Sequence, residues 1–357
     1  MRTRKTHIAC ANSAGTAIAI IAGLVCGSMT ILVGCKPTAG IFESDSARKE
    51  YVVPARVPTP KDNAMTPARV ELGKKLFFDP RLSGSGIMSC ATCHNPTLDW
   101  ADGLALARGD LMGMLDRNTP TIINTAFNTS QFWDGRAATL EDQALGPIAS
   151  RAEMNMSIVI ALSTIRDIKG YQKWFELAYP GEGINKSTLA RAIASFERSI
   201  ISRNTAFDQV VRGSSGAMSE QAKEGFKLFN GKGRCNKCHT GFNFTDNSFH
   251  NIGVKPAADG FNDQGRFVIT PLPAMRGAFK TPTLRNVART GPYMHNGIYK
   301  TLDEVMDHYI RGGDVTDNLS VEMKPVDLTP GEKAAIIAFM RALTDDTIRF
   351  TLPRLPN

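Results

Sequence analysis

Two C-x-x-C-H motifs, Cys90-Ala-Thr-Cys93-His94 and Cys235-Asn-Lys-Cys238-His239, constrain this 357-residue chain more than any other feature. A zinc ribbon would place its second cysteine pair about 15–20 residues on, whereas 142 positions separate Cys93 from Cys235. The pattern instead suits covalent attachment of c-type haem, in which both thiols bond the porphyrin and the adjacent histidine binds iron. The residues ahead of the motifs repeat as well. Glu71-Leu-Gly-Lys-Lys-Leu-Phe-Phe78 and Lys223-Glu-Gly-Phe-Lys-Leu-Phe-Asn230 share G-x-K-L-F. A repeat this widely spaced predicts two duplicated modules and not a solenoid.

The cysteine count closes around this reading. Residues 1–34 have a basic start (Arg2, Arg4, Lys5) and a long uncharged apolar stretch, which predicts an export signal. It ends at Leu32-Val-Gly-Cys35, which resembles a bacterial lipobox; Cys35 would then carry lipid and tether the protein to the outer membrane from the periplasm. A plain cleaved signal and an uncleaved anchor are the alternatives. With Cys10 and Cys26 in the leader, no cysteine is left for a structural disulfide. Residues 35–60, rich in proline, read as a tether, 61–205 as a first haem domain and 206–357 as a second.

Composition narrows the class further. Apolar residues at 42% and charged residues at 21% fit a globular chain. The net charge of +8 falls to about +5 without the leader, and no Lys/Arg cluster suggests nucleic acid. Helical signals dominate. Leu189, Ile193, Phe196 and Ile200 share one face of Ser187–Ile201. Thr301 to Glu304 and Thr329 to Glu332 are capping boxes, the second with Pro330 at the first helical position. Strand patterns are scarce and 240–280 is loop-rich, so the predicted fold is mainly α, with two cytochrome c-like haem domains packed face to face.

Three long segments, ELGKKLFFDPRLSGSGIMSCATCHNP, RNTPTIINTAFNTSQFWDGRAATLEDQALGPIASRAEMN and FKTPTLRNVARTGPYMHNGIYKTLDEVMDHYIRGG, resemble the bacterial di-haem cytochrome c peroxidase and MauG family. The resemblance implies hydrogen peroxide reacting at the N-terminal haem, with the second haem passing or storing an electron. By the same resemblance His94 and His239 are proximal iron ligands and Trp133 lies between the macrocycles. Gln143, Pro147, Glu153 and Met154 form the distal pocket, where Glu153 moves a proton between the peroxide oxygens. Asn118, Thr290 and Pro292 match a calcium site built from oxygen donors. Arg285 and His295 match positions near the C-terminal haem, with support or propionate roles; His250 is either similar or a satisfied core histidine.

Two departures point to a branch. Where peroxidases often carry a second histidine for the N-terminal haem, this chain has Asp110, and His94 is the only histidine between the leader and His239. That haem should keep an open distal face. The resemblance implies a sixth ligand for the other haem 17 residues after Pro292, which is Tyr309; that residue also shares an apolar helical stripe with Leu302, Val305 and Met306. Met306 and Met294 are weaker candidates. A phenolate ligand resembles the MauG branch, including its methanobactin-associated type. It implies a high-valent two-haem state that oxidises a tryptophan of a partner protein by long-range electron transfer. The alternatives are a peroxide-scavenging peroxidase supplied by a small cytochrome c or cupredoxin, and a non-enzymatic carrier.

Overall fold

The computed structural model describes residues 41–257 and 260–357; the export signal and Cys35 lie outside them. Among the described residues eleven α-helices dominate: α1 (Asp45–Lys49), α2 (Pro67–Phe77), α3 (Cys90–Cys93), α4 (Leu140–Ala149), α5 (Ile158–Asp167), α6 (Lys169–Ala178), α7 (Lys186–Glu197), α8 (Ala206–Val211), α9 (Glu220–Asn230), α10 (Leu302–Arg311) and α11 (Pro330–Arg341). The sole sheet among them is one short antiparallel pair, β1 (Phe249–His250) with β2 (Phe279–Lys280), in register Phe249↔Lys280. The fold is mainly α, and none of these helices is long and apolar enough to cross a membrane.

Two hydrophobic clusters form the interior. The first gathers Leu72, Leu76 and Phe77 of α2 with Leu189, Ile193 and Phe196 of α7. The second gathers Phe226 and Phe229 of α9 with Ile336, Phe339 and Met340 of α11. The two pairs of helices cross alike. A Cβ on Gly73 would lie 1.8 Å from the Ala192 carbonyl oxygen, and one on Gly225 would lie 1.9 Å from that of Ala335. Glycine is therefore required in both G-x-K-L-F segments, because only its bare Cα lets the backbones approach so closely. Both distal helices begin the same way too: Thr139 caps α4 and Thr301 caps α10 by accepting a backbone N–H three residues on.

The modules join about a pseudo-two-fold axis. An offset of 162 residues relates Asn118 to Lys280, Trp133 to His295 and Thr139 to Thr301. The Asn118 N–H donates to the His295 carbonyl at 2.7 Å, and the Lys280 N–H donates to the Trp133 carbonyl at 2.8 Å. Equivalent residues thus exchange equivalent bonds, as in an isologous interface.

Segments near both ends of the described residues pack across the boundaries read from sequence. Part of the stretch taken as a tether is packed: Phe42 and Tyr51 stack edge-on or tilted against Phe207 and Phe226 of the second cluster. Conversely, residues beyond α11 return to the first module, where Phe350 stacks on Phe78 at 4.8 Å and the Asn357 carbonyl accepts from Gly170 N–H at 3.0 Å. Each module is completed by the opposite terminus.

Candidate functional site

A cavity of about 780 Å³ lies in the first module and reaches the second, within the range that holds cofactor-sized ligands. Cys90, Cys93 and His94 line one side; Gln143, Pro147, Glu153 and Met154 of α4 and the loop after it line another, and Trp133 and Asn118 line the wall toward the second module. The sequence-predicted N-terminal site therefore comes together.

Both motif histidines are oriented by the backbone. His94 Nδ1 donates to the Trp100 carbonyl at 3.2 Å, and His239 Nδ1 donates to the Phe244 carbonyl at 2.9 Å. Burial lowers the pKa of each ring, keeping it neutral. A neutral imidazole with Nδ1–H so engaged presents Nε2 as a lone-pair donor, the arrangement a metal-ligating histidine needs. Four free cysteines flank these rings. The donor set fits two haems.

On the distal side, α4 contains Pro147, which lines the cavity and carries no side-chain ligand atom. Glu153 also borders a shallow outer cleft shared with Phe132 and Arg136, so it stands where solvent meets the cavity. Burial raises its pKa, with Arg136 and the Ser150 hydroxyl opposing. Asp110, at the position that could have held a second histidine, is buried beneath this loop: its N–H donates to the Glu153 carbonyl at 2.6 Å, and its side chain does not line the cavity.

In the second module α10 takes the place of α4. Eight residues after each cap stand Pro147 and Tyr309. The Tyr309 hydroxyl makes no hydrogen bond among the described residues, and its pKa is pushed up by burial and then by Cys238 and Cys235. The phenol thus lies near the second C-x-x-C-H, with its polar end unbonded among the described residues. Met306 is packed in the apolar cluster and Met294 lines the first cavity.

The remaining candidates are resolved individually. The Trp133 indole N–H donates to the Asn118 carbonyl at 2.9 Å. Thr290 and Pro292 line the same cavity wall as Asn118. Arg285 is fully buried and forms a bidentate pair with Asp208 at 2.9 and 2.8 Å, while its Nε donates to the Phe242 carbonyl at 2.8 Å. It braces the loop after His239, in keeping with the support role read from the sequence. His295 stacks on Phe279 at 3.7 Å in the pseudo-symmetric position of Trp133, and burial holds its pKa down to about 4. His250 donates to Asp246 at 2.8 Å beside Cys238; that hydrogen bond, then Cys238, raises its pKa to about 10.

Sequence reasoning missed two charged groups in the cavity wall. Glu197 at the end of α7 has one carboxylate oxygen without any hydrogen bond, and burial raises its pKa to about 8. Lys280 donates to the Thr281 carbonyl at 3.2 Å, and burial lowers its pKa to about 8.

Two helical modules, each aiming a histidine and two cysteines at its interior, define a two-haem redox protein. Residues 67–216 match the family model described as "Di-haem cytochrome c peroxidase". Methylamine utilization protein MauG of Methylorubrum extorquens strain AM1 is 43% identical over 340 residues, 93% of this chain and 96% of that one. Cytochrome c551 peroxidase of Nitrosomonas europaea is 35% identical over 311 residues, 87% of this chain and 89% of its own length. A crystal structure of a MauG-like protein associated with microbial copper homeostasis is similar at TM-score 0.76 and 31% identity, covering 83% of this chain and 95% of that one. The chain belongs to the di-haem cytochrome c peroxidase and MauG family, oxidoreductases acting on peroxide.

Proposed function

We propose that the chain is a MauG-like peroxidase that directs the oxidising power of hydrogen peroxide onto a residue of a partner protein. Cys90 and Cys93, and Cys235 and Cys238, would hold the two haems covalently, with His94, His239 and Tyr309 as iron ligands. Bound there, the haems supply iron that reduces peroxide and shares its two oxidising equivalents across both sites.

The observation carrying this reading is the unequal pair at equivalent helix positions: Pro147, which offers no ligand atom, and Tyr309, whose phenol would ligate the second iron. Glu153 takes a proton from one peroxide oxygen and returns it to the other, for which its raised pKa suits it. Gln143 orients the peroxide by hydrogen bonding. Trp133, hydrogen-bonded in both modules, offers an oxidisable ring midway. With the reactive site at the bottom of a cavity and not on the surface, electrons come from a docked protein; tryptophan is the residue class that the resemblance to the MauG branch implies.

Asn118 Oδ1 with the Thr290 and Pro292 carbonyls would hold one calcium ion; none of the three oxygens accepts a hydrogen bond among the described residues. The leader supports export to the periplasm and, through Cys35, lipid anchoring at the outer membrane.

Stopped-flow spectroscopy of the oxidised protein with peroxide tests the proposal. A near-infrared band from charge shared between the haems is expected in wild type and is lost in Tyr309→Phe. Reactivity only after prior reduction, or a thioether-ligated second haem, would assign the chain to peroxide scavenging instead.

A further inference from the structure

Beside Tyr309, the second module holds a buried polar cluster that the peroxide chemistry does not use. Tyr299 is only 6% exposed. Its hydroxyl donates to Asp314 Oδ2, lies 3.0 Å from His308 Nδ1 and accepts from the Arg311 guanidinium at 3.1 Å. Arg311 Nε holds the other Asp314 oxygen at 2.6 Å, which orients the carboxylate toward the phenol. The His308 ring bridges the two phenols, its centroid 5.4 Å from that of Tyr309 and 5.4 Å from that of Tyr299. His308 Nε2 in turn donates to the Ile252 carbonyl at 2.9 Å, which pins the ring in this bridging position. Outward of Tyr299 lies the Arg311 side chain, 44% exposed and 5.9 Å over the ring. Three rings thus lead from the second C-x-x-C-H site to the protein surface.

A phenol gives up an electron readily only when its proton has somewhere to go, because the oxidised phenol is a strong acid. Burial and then the Asp314 carboxylate raise the pKa of Tyr299, so the group enters any oxidation protonated. The phenol of Tyr171 is paired likewise with Asp79 at 2.6 Å, but its ring neighbour is Phe175 and not a ring next to a proposed iron ligand.

We propose that Tyr299 is a redox relay, the station through which oxidising equivalents leave the second haem site toward a docked one-electron donor. The step balances as follows. One electron passes from Tyr299 to the peroxide-oxidised di-haem centre, and the phenolic O–H breaks as its proton moves to Asp314 Oδ2. The neutral phenoxyl radical then takes an electron from the donor and recovers the proton from Asp314. Two such passes consume the two equivalents of one peroxide, whose reduction to two waters takes up two protons. The relay rests on the proposed function, and it adds the exit route.

The test is freeze-quench electron paramagnetic resonance of the two-haem protein mixed with peroxide and no partner. Protein grown on ring-deuterated tyrosine identifies a tyrosyl signal by its narrowing. The expected result is a tyrosyl radical that forms as the near-infrared band decays, disappears in Tyr299→Phe and persists in Tyr171→Phe. In Tyr299→Phe the oxidised state should outlast wild type by at least about tenfold. Asp314→Asn, which keeps the hydrogen bond but not the base, should suppress the radical while the near-infrared band still forms. A normal band with no tyrosyl radical, or a radical unaffected by Tyr299→Phe, overturns the relay and leaves the proposed function standing. Absence of the band itself counts against the proposed function.

Discussion

The two modules share a helix crossing, a capped distal helix, a backbone-anchored histidine and a reciprocal hydrogen bond at their junction, yet they differ wherever chemistry is at stake. On the distal helix, Pro147 faces Tyr309 across the pseudo-symmetry. Gln143 has Val305 as its counterpart, and Trp133 has His295. Behind the haem sites, Ile123 is matched by the buried Arg285, and Glu197 by Met340, the residues that follow Phe196 and Phe339 at the two glycine crossings. Duplication thus supplied one scaffold twice, and a handful of substitutions on its inner faces divided the work. The scaffold tolerates this because both modules keep the close-approach glycines of the crossings and the threonine caps of the distal helices.

The sharpest way to break that comparison is to exchange the distal residues. Pro147→Tyr should place a phenol over the first site and stop the reaction with peroxide, while leaving the helix no less stable, since a mid-helix proline forgoes a backbone hydrogen bond. Undiminished peroxide consumption, measured by stopped flow, would show that the distal residue does not set reactivity.

Next in size is the proton shuttle. Glu153→Gln should slow the reaction with peroxide by about 10²–10⁴-fold. Because burial raises the Glu153 pKa, the wild-type rate should fall as pH drops through that raised value and the carboxylate becomes protonated. The glutamine variant should show no such limb. A pH profile of identical shape in both proteins would move the proton transfer to another group.

How far the sequence announced this asymmetry depends on the range of the interaction. The haem motifs, the capping boxes of α10 and α11 and the apolar face of α7 were legible because each is fixed within one or two helical turns. The helix predicted to Ile201 stops at Glu197, but Ile200 is still buried. Proline content hid the packing of Phe42 and Tyr51, whose partners lie more than 150 positions on. The exchange of bonds between Asn118 and His295, the Arg285–Asp208 pair and the Tyr299 cluster were equally out of reach. Each joins residues that no local pattern brings together. Tyr309 stands out as a candidate only because a helical stripe and a family spacing coincide on it.

A third prediction tests whether the buried charge in the second module is structural. Arg285→Ile, which copies Ile123, leaves Asp208 ionised in an interior site and should cost about 3–5 kcal/mol in chemical denaturation. Pairing it with Asp208→Leu should recover most of that loss, because replacing both partners removes the uncompensated charge. Failure of the double variant to recover would mean that the bond from Arg285 to the Phe242 carbonyl, which steadies the haem loop, matters more than the ion pair.

The smallest effect concerns Glu197, the carboxyl with no counterpart in the second module. Its pKa is about 8 in the folded chain, set by burial, against an ordinary value of 4.5. Between those values the unfolded chain releases this proton and the folded chain keeps it. Stability therefore declines as pH rises through the window and levels off above about pH 8. Glu197→Met, which copies Met340, should flatten that decline and gain up to roughly 4 kcal/mol at the alkaline end. Thermal melts of the two-haem protein from acid to mildly alkaline pH read the difference directly. Parallel curves for variant and wild type would mean that the haem-loaded cavity gives Glu197 a partner that keeps it ionised. The pocket would then have retained this carboxyl for a contact with the cofactor and not as a neutral wall.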